Sequence, residues 1–183
     1  MKLFVFLFMM LFTQVLTQGE KPNFWLCPPA IWECVIGNLN YNYIEGDPKG
    51  PENWWKLHDN WALCGKGQMQ SPIDLSDEEK DPTLGNLKLN YMATNATLVN
   101  HGREVVLEWD GDAGYLKIDS TQYSLKQMYW HYPSEHQIDS TRYDLEAHMV
   151  HESKDGKKAV IANLYKIGAS NQFLEKVINS LIN

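Results

Sequence analysis

The stretch of sequence that decides the fold is QMYWHYPSEHQIDSTRYDLEAHMVHES, residues 127–153, which holds two β-prone runs with a turn signal between them. In a strand, residues two positions apart face the same side. Tyr129 and His131 therefore share one face of the first run. Glu146 and His148 likewise share one face of the second run. If the two runs pair as neighbouring strands, His131 and His148 can converge on one point.

Outward from this stretch, the chain from residue 66 onward is predicted to be mainly β. Close spacing of short β-prone runs, separated by turn signals such as NHG, DGDAG and KDGKK, indicates an antiparallel sheet. The runs are ATLVN, REVVLEW, GYLKID, TQYSL, QMYWHY, YDLEAHMVHE and KAVIANLYKIG. Only residues 171–182 show helical spacing, which predicts a single helix there. Its apolar face is expected to consist of Phe173, Leu174, Val177, Ile178 and Leu181.

Composition and charge limit the possible partners. The chain has 183 residues, of which 44% are hydrophobic and 21% charged, and this is typical of one globular domain. A net charge of −7 offers no basic face that would release counterions from phosphates, so we expect no nucleic-acid partner. Oligomeric state is left open by the sequence.

The N-terminus has the pattern of a secretory signal peptide. Lys2 precedes ten consecutive apolar residues, 3–12, and a polar segment of smaller residues follows. The apolar run is shorter than the ~20 residues that cross a bilayer. We predict a signal peptide at residues 1–18, entry into the secretory pathway, and an extracellular product without membrane contact after cleavage. An uncleaved anchor is the alternative. Residues 19–40 are predicted to form a loop-like arm.

Four of the six histidines lie in the stretch that decides the fold. A catalytic zinc site takes three protein ligands and leaves a fourth position for water, and His131 and His148 supply two candidates. His151 should point elsewhere, because it is an odd number of residues from His148. The alternative is that both candidates are half-buried sheet residues with ordinary hydrogen-bond partners.

Several separate motifs together resemble the α-type carbonic anhydrases, most closely the secreted plant forms. They are residues 130–153, GKGQMQSPIDL, PENWWKL, EWDGDAG and AVIANLYKIG, in the order along the chain that the family has, and the resemblance covers residue 41 to about residue 173. It implies a twisted, mostly antiparallel central sheet with small peripheral helices. It also implies a zinc-dependent lyase that hydrates carbon dioxide reversibly to bicarbonate and a proton, since zinc lowers the pKa of bound water to ~7. Residues 41–183 would then form a domain that lacks its C-terminal part.

The resemblance places two histidines and one tyrosine at the zinc-ligand positions. His131 corresponds to the second ligand and His148 to the third, whereas the first position holds Tyr129. A phenol has an unperturbed pKa of ~10, so the metal itself would have to ionise it. We therefore expect weak or absent zinc binding, with Tyr129 packed as an aromatic residue in the place of the metal.

Other positions that match the family support the site. Gln127 and Glu146 match residues that orient ligating histidines, and ordinary polar pairing in the sheet is the alternative. Glu135 matches the catalytic carboxylate that orients a gating threonine, which would lie beyond residue 183. Val150 and Val160 match the apolar wall of the substrate pocket, although strand valines favour a core in any case.

Arg103 falls at the proton-shuttle position, and an arginine does not relay protons at neutral pH. His101 is the alternative shuttle. Separately, the sequon Asn95-Ala96-Thr97 predicts N-glycosylation of Asn95, with an unused sequon as the alternative.

Three cysteines are an odd number for an oxidising compartment. By the resemblance, Cys64 pairs with a cysteine of the C-terminal part beyond residue 183. Cys27 and Cys34 would then be available to bridge each other.

Taken together, the sequence predicts an α-carbonic anhydrase family protein in which carbon dioxide hydration is impaired or lost. The partners would be carbon dioxide and bicarbonate if it is active. The alternatives are a non-catalytic, carbonic anhydrase-related secreted protein with a storage or binding role, or a truncated gene product.

Overall fold

A computed structural model describes residues 6–11, 41–67, 71–76, 87–100 and 104–182. These residues divide into two compact units. The first, called the sheet unit, takes those within residues 1–15, 77–134 and 141–183. The second, called the small unit, takes those within residues 16–76 and 135–140. Predictions for the arm at 19–40, for Cys27 and Cys34, and for His101 and Arg103 lie outside the described residues.

The described elements are short strands and a few short helices. In chain order they are β1 (Phe6–Leu11), a 3-10 turn (Pro51–Asn53), α1 (Trp54–Leu57), a second 3-10 turn (Asp59–Trp61), α2 (Leu63–Lys66), β2 (Asp74–Leu75), β3 (Lys88–Tyr91), β4 (Ala96–Asn100), β5 (Val105–Trp109), β6 (Gly114–Ile118), β7 (Thr121–His131), β8 (Gln137–Ile138), β9 (Thr141–Arg142), β10 (Leu145–Ser153), β11 (Lys158–Tyr165) and α3 (Gln172–Ile182). None of these helices is long and apolar enough to cross a membrane.

One antiparallel sheet dominates the sheet unit. Its strand order is β1-β11-β10-β7-β5-β4, and β6 pairs with both β7 and β3. Each of these pairings is antiparallel. The expectation of a mainly β, mostly antiparallel fold with small helices is therefore confirmed.

β7 organises the sheet because it is 11 residues long. Its length lets it pair with β10 on one side and with both β5 and β6 on the other. The sequence runs TQYSL and QMYWHY were predicted as separate strands, and that boundary was wrong. Only Lys126 separates the two runs, and it is the extra residue of a β-bulge opposite Val150 and His151.

β1 lies at the edge of the sheet and pairs with β11 from Phe6 opposite Leu164 to Leu11 opposite Ala159. It falls within the segment predicted as the apolar core of the signal peptide. A short continuous apolar run suits a strand as well as a leader, so the pairing does not test the cleavage prediction.

Helix α3 packs on one face of the sheet through only part of its apolar side. The side chain of Asn171 accepts hydrogen bonds from the backbone nitrogens of Phe173 (3.0 Å) and Leu174 (3.1 Å), as a capping residue does. Leu174 and Val177 pack against a buried cluster of Met128, Trp130 and Ala147. Phe173, Ile178 and Leu181 are 43%, 53% and 40% exposed. The single apolar face predicted for this helix is therefore only partly buried.

The small unit has its own core, in which Tyr41, Trp54 and Trp61 meet edge to face at centroid distances of 5.5 and 5.9 Å. In the same unit β2 pairs with β8 in parallel. Cys64 is disulfide-bonded. The pairing with a cysteine beyond residue 183, which the resemblance implies, stays a prediction.

Candidate functional site

The register of β7 and β10 brings the candidate ligands together. Tyr129 lies opposite His148, and His131 lies opposite Glu146. Facing residues of an antiparallel pair project to the same side of the sheet. The rings of His131 and His148 are 5.2 Å apart, and their ligand nitrogens lie within 4.8 Å of each other. The predicted convergence of the two histidines is confirmed.

Neighbouring strands bury Tyr129 and His148 within the sheet. Val106 of β5 lies beside Tyr129, and Ala162 of β11 lies beside His148. Tyr129 is 2% exposed and His148 is fully buried. Electrostatic interactions among these polar groups are therefore weakly screened.

A carboxylate on one side and a phenol on the other hold the His148 ring. Nε2 is 2.6 Å from Glu146 Oε1, and Nδ1 is 3.2 Å from the Tyr129 hydroxyl. In the neutral imidazole, Nε2–H donates to the carboxylate and Nδ1 accepts a hydrogen bond from the phenol. The Tyr129 hydroxyl therefore lies where the Nδ1 lone pair points, and this is the direction in which a metal would bind.

His131 also has a carboxylate beside it. Its Nδ1 is 3.5 Å from Glu104 Oε1, and both side chains are nearly buried. We did not predict Glu104 from the sequence. The register of β5 and β7 accounts for this contact. Val105 faces Trp130, so Glu104, the residue before it, faces His131.

Gln127 was expected to orient a ligating imidazole. Its side-chain nitrogen is buried and has no hydrogen-bond partner among the described residues. Glu146, in contrast, contacts His148 as a residue that orients a ligand would.

Val150 and Val160 face each other across β10 and β11 and are 2% and 6% exposed. Val150 also faces Gln127 on β7, two residue pairs along from Tyr129 and His148. The two valines thus form an apolar patch on the side of the sheet that carries the histidines.

Glu135 lies in the small unit and is 6% exposed. It accepts a hydrogen bond of 2.9 Å from the Tyr43 hydroxyl. In the same unit, His136 Nε2 is 3.3 Å from the Ser71 hydroxyl. We predicted neither Tyr43 nor Ser71 as a partner, because each is more than 60 residues away in sequence.

His151 lies apart from the histidine pair, as predicted. The Tyr91 hydroxyl is 2.7 Å from its Nε2, and its Nδ1 is 3.3 Å from the Ala159 carbonyl oxygen. Nδ1–H donates to the carbonyl, so Nε2 accepts from the phenol. Burial lowers the pKa of His151 to about 4 and raises the pKa of Tyr91 to about 12. This pair is a buried structural contact.

Asn95 is exposed and directly precedes β4. Its backbone carbonyl accepts a hydrogen bond of 2.9 Å from the nitrogen of Asp110, and the Thr97 hydroxyl donates to an Asp110 carboxylate oxygen at 3.1 Å. The sequon therefore lies on the surface of the sheet unit.

The cation that the resemblance implies is zinc, and these residues do not fit it. Zinc sites use Cys, His, Asp and Glu, and a catalytic site needs three such ligands. Here two imidazole nitrogens converge, and the third position is a phenol that donates to one of them.

Comparisons with known proteins agree on one family. The family model of the eukaryotic-type carbonic anhydrases matches residues 49–183. Alpha carbonic anhydrase 5 of Arabidopsis thaliana is 48% identical over 144 residues, which are 76% of this chain and 52% of that protein. Dioscorin dioA3 of Dioscorea japonica is 48% identical over 136 residues, 73% of this chain and 50% of that protein. The chain spans about half the length of these relatives.

Solved structures give the same result. A crystal structure of dioscorin complexed with ascorbate has a TM-score of 0.70 and 44% identity, and the match covers 78% of this chain and 60% of that one. A hyperthermostable carbonic anhydrase from a hydrothermal vent chimney has a TM-score of 0.64 and 32% identity, with coverage of 76% and 61%.

Proposed function

Since the chain belongs to the eukaryotic-type carbonic anhydrase family, we propose that it is a member in which zinc-dependent hydration of carbon dioxide is impaired or lost. The observation that carries this proposal is the Tyr129 hydroxyl, 3.2 Å from Nδ1 of His148. A zinc ion would bind that nitrogen at ~2.0–2.1 Å, so the hydroxyl and the ion compete for one place. Without a third imidazole, two histidines do not complete the ligand set.

The experiment measures zinc content and zinc-dependent carbon dioxide hydration on the same preparations of the full chain. The unaltered chain is expected to hold well under one equivalent of zinc and to show no zinc-dependent turnover. Tyr129→His supplies the missing imidazole and should raise the zinc content several-fold. Tyr129→Phe is the matched control, since it removes the hydroxyl without adding a ligand and should remain poor in zinc.

Two results would overturn the proposal. One is a full equivalent of zinc with ordinary turnover in the unaltered chain. The other is a Tyr129→His variant that unfolds cooperatively yet gains no zinc, because position 129 would then not be the cause. Cooperative thermal unfolding of each variant shows that the comparison concerns folded protein.

A second candidate function is binding without catalysis, in a storage or ligand-carrying role. It is favoured by one observation, that a solved relative at 44% identity is a dioscorin complexed with ascorbate. Calorimetric titration with ascorbate tests it. Saturable binding of one equivalent to a chain that lacks hydration activity supports this role, and the absence of any heat of binding contradicts it for this ligand.

We also propose that the protein enters the secretory pathway through residues 1–18, is extracellular, and carries an N-linked glycan on Asn95. The apolar segment after Lys2 and the exposed position of the sequon support this route.

A further inference from the structure

Strand β4 lies at one end of the sheet and presents an uncharged edge. Among the described residues its only strand partner is β5. Its sequence, ATLVN, includes no charged side chain and no proline. Natural sheets usually protect such an edge, because the N–H and C=O groups along it can pair with another chain. β4 has none of the charges or prolines that would prevent this pairing.

The other two end strands of the sheet differ from β4. Within the described sheet β3 pairs only with β6, and it begins with the exposed Lys88. A lysine is one of the residues that protect an edge. β1 belongs to the segment that we propose as a leader. β4 is therefore the end strand that is neither charged nor proposed for removal.

The hydrogen bond just before β4 shows which backbone groups of the strand point outward. The nitrogen of Asp110 donates to the carbonyl oxygen of Asn95 at 2.9 Å. In an antiparallel pair, facing residues alternate between those that bond to each other and those whose groups point away. Every second residue after Asn95 therefore bonds to β5. The N–H and C=O groups of Ala96 and Leu98 point away from β5, and a further strand can bond to them.

These outward groups match those of a second copy of the same strand. When two β4 strands run antiparallel about a two-fold axis at Thr97, Ala96 of each copy faces Leu98 of the other. Each of these two facing pairs exchanges two hydrogen bonds, so four bonds form across the axis. The arrangement places the small Ala96 opposite the larger Leu98, sets Thr97 opposite its own copy, and brings no like charges of β4 together. The edge is thus complementary to itself, as the interface of a symmetric dimer must be.

Helix α3 adds exposed apolar surface beside this edge. Leu98 faces Leu107 on β5, and Leu107 packs against the same buried cluster as Leu174 of α3, so Leu98 and α3 share one face of the sheet. α3 lies close to β4 and leaves Ile178 and Leu181 53% and 40% exposed. The two-fold axis runs perpendicular to the sheet, so both copies of α3 lie on the same face of the joined sheet. Their exposed apolar side chains are then near the joined edges, where burial would stabilise the dimer.

We propose that β4 pairs with β4 of a second copy of this chain, antiparallel about Thr97, and forms a symmetric dimer with one sheet continuous across both copies. The second copy is the partner because the edge is uncharged and complementary to itself, and because an exposed apolar helix face lies beside it. Zinc binding and carbon dioxide hydration do not enter this inference, which goes beyond the proposed function.

The test measures the mass in solution of the full chain, produced in bacteria so that Asn95 carries no glycan. Sedimentation equilibrium should give a dimer that dissociates on dilution. Ala96→Pro removes an N–H that points outward and none that bonds to β5, so two of the four bonds across the axis are lost. This variant should raise the dissociation constant of the dimer at least tenfold while its thermal unfolding stays cooperative.

Leu89→Pro is the matched control on another edge. The nitrogen of Met92 donates to the carbonyl oxygen of Ala113 at 3.0 Å. By the same alternation, the N–H of Leu89 points away from β6. The control therefore removes an outward N–H from β3, and it should leave the dissociation constant of the dimer unchanged.

Thr97→Cys tests the register without a proline. Facing residues that do not bond to each other have Cα atoms ~4.5 Å apart, a separation that a disulfide can span. Mild oxidation should therefore link two copies of the Thr97→Cys variant, and a denaturing gel without reductant should show the linked dimer. Ser120→Cys changes another exposed residue and should give no more linked dimer than the unaltered chain.

Four results would each overturn the proposal. They are a monomeric unaltered chain, a dimer that Ala96→Pro does not weaken, an equal loss of dimer in both proline variants, and a dimer that oxidation of the Thr97→Cys variant does not link. If Ala96→Pro does not unfold cooperatively, the link at position 97 decides. Zinc content and hydration are measured separately, so failure of the proposed function is distinguishable from failure of the dimer.

Discussion

Tyr129 and Tyr91 both donate to buried histidines, and the two pairs differ at the opposite nitrogen of the imidazole. In His148 that nitrogen meets the Glu146 carboxylate, whereas in His151 it meets the Ala159 carbonyl oxygen. A carboxylate carries a full negative charge that can balance a cation bound to the imidazole, and a carbonyl does not. The hydrogen bond between His148 and Glu146 is therefore charge-assisted, whereas the bond between His151 and Ala159 is neutral.

The His151 contact predicts how stability depends on pH. The pKa of His151 is about 4 in the folded chain against an ordinary value of 6.5. As pH falls from about 6.5 to about 4, the unfolded chain takes up a proton that the folded chain does not. The free energy of unfolding should therefore decrease over this window, by up to about 3 kcal/mol from this group. Urea unfolding at several pH values between 7.5 and 4 measures it.

A pair of histidine variants isolates the contribution of His151 to the pH dependence of the free energy of unfolding. His151→Gln removes the titrating group, so the free energy of unfolding should fall less steeply between pH 6.5 and 4 than in the unaltered chain. His58→Gln is the control, since His58 is exposed and its loss should leave the slope unchanged. Equal slopes in all three proteins would contradict the assignment.

At the scale of single residues, the convergence of side chains was predictable from the sequence. The contacts that fix those side chains in place were not. Alternation along two runs was enough to place His131 and His148 together, because a strand has only two faces. The carboxylate of Glu104 and the hydroxyl of Tyr43 depend on pairings across 27 and 92 residues respectively. Such contacts follow from register and loop paths, which no local pattern in this sequence specifies.

At the scale of elements, the strands near the site were predictable and the bulge in β7 was not. β4 spans Ala96–Asn100, which is the run ATLVN, because turn residues bound it on both sides. No local sequence pattern identifies Lys126 as a bulge, because the extra residue of a β-bulge is defined by how the strands pair. The two runs on either side of it therefore looked like separate strands.

Helix α3 offers a test of what its packing contributes. Leu174 packs against the cluster of Met128, Trp130 and Ala147, whereas Leu181 on the same helix is 40% exposed. Leu174→Ala should lower the free energy of unfolding by about 2 kcal/mol, the low end for a leucine in a core, because the side chain is only partly buried. Leu181→Ala changes the same atoms at an exposed position and should stay within about 0.5 kcal/mol. Denaturant unfolding compares them, and equal effects would show that the helix is not seated on the sheet as described.

At the scale of the whole molecule, the fold class followed from the spacing of β-prone runs, and the connections between distant segments did not. Cys64 is disulfide-bonded, but a cysteine carries no local signal of its partner, so the pairing could not be derived from the sequence pattern. The pairing of β1 with β11 was also unforeseen, since Phe6–Leu11 has the composition of a leader as much as that of a strand.

Secretion and glycosylation of the whole chain can be tested together. Glycan transfer to a sequon requires entry into the secretory pathway, and Asn95-Ala96-Thr97 is the one sequon in the sequence. Expressed from residue 1 in a eukaryotic cell, the protein should appear in the medium with one N-linked glycan. Treatment with an N-glycosidase should then increase its mobility in a denaturing gel, and mass spectrometry should place the modification on Asn95.

Matched variants separate the sequon from the leader. Asn95→Gln and Thr97→Ala should each remove the mobility shift, whereas Thr97→Ser keeps a hydroxyl at the third position of the sequon and should retain it. Deletion of residues 1–18 should leave the chain inside the cell and unmodified even though the sequon is intact, because transfer occurs only after translocation. Secretion of the deleted form would refute the leader, and a glycan that survives Asn95→Gln would refute the site, so the two parts of the proposal fail independently.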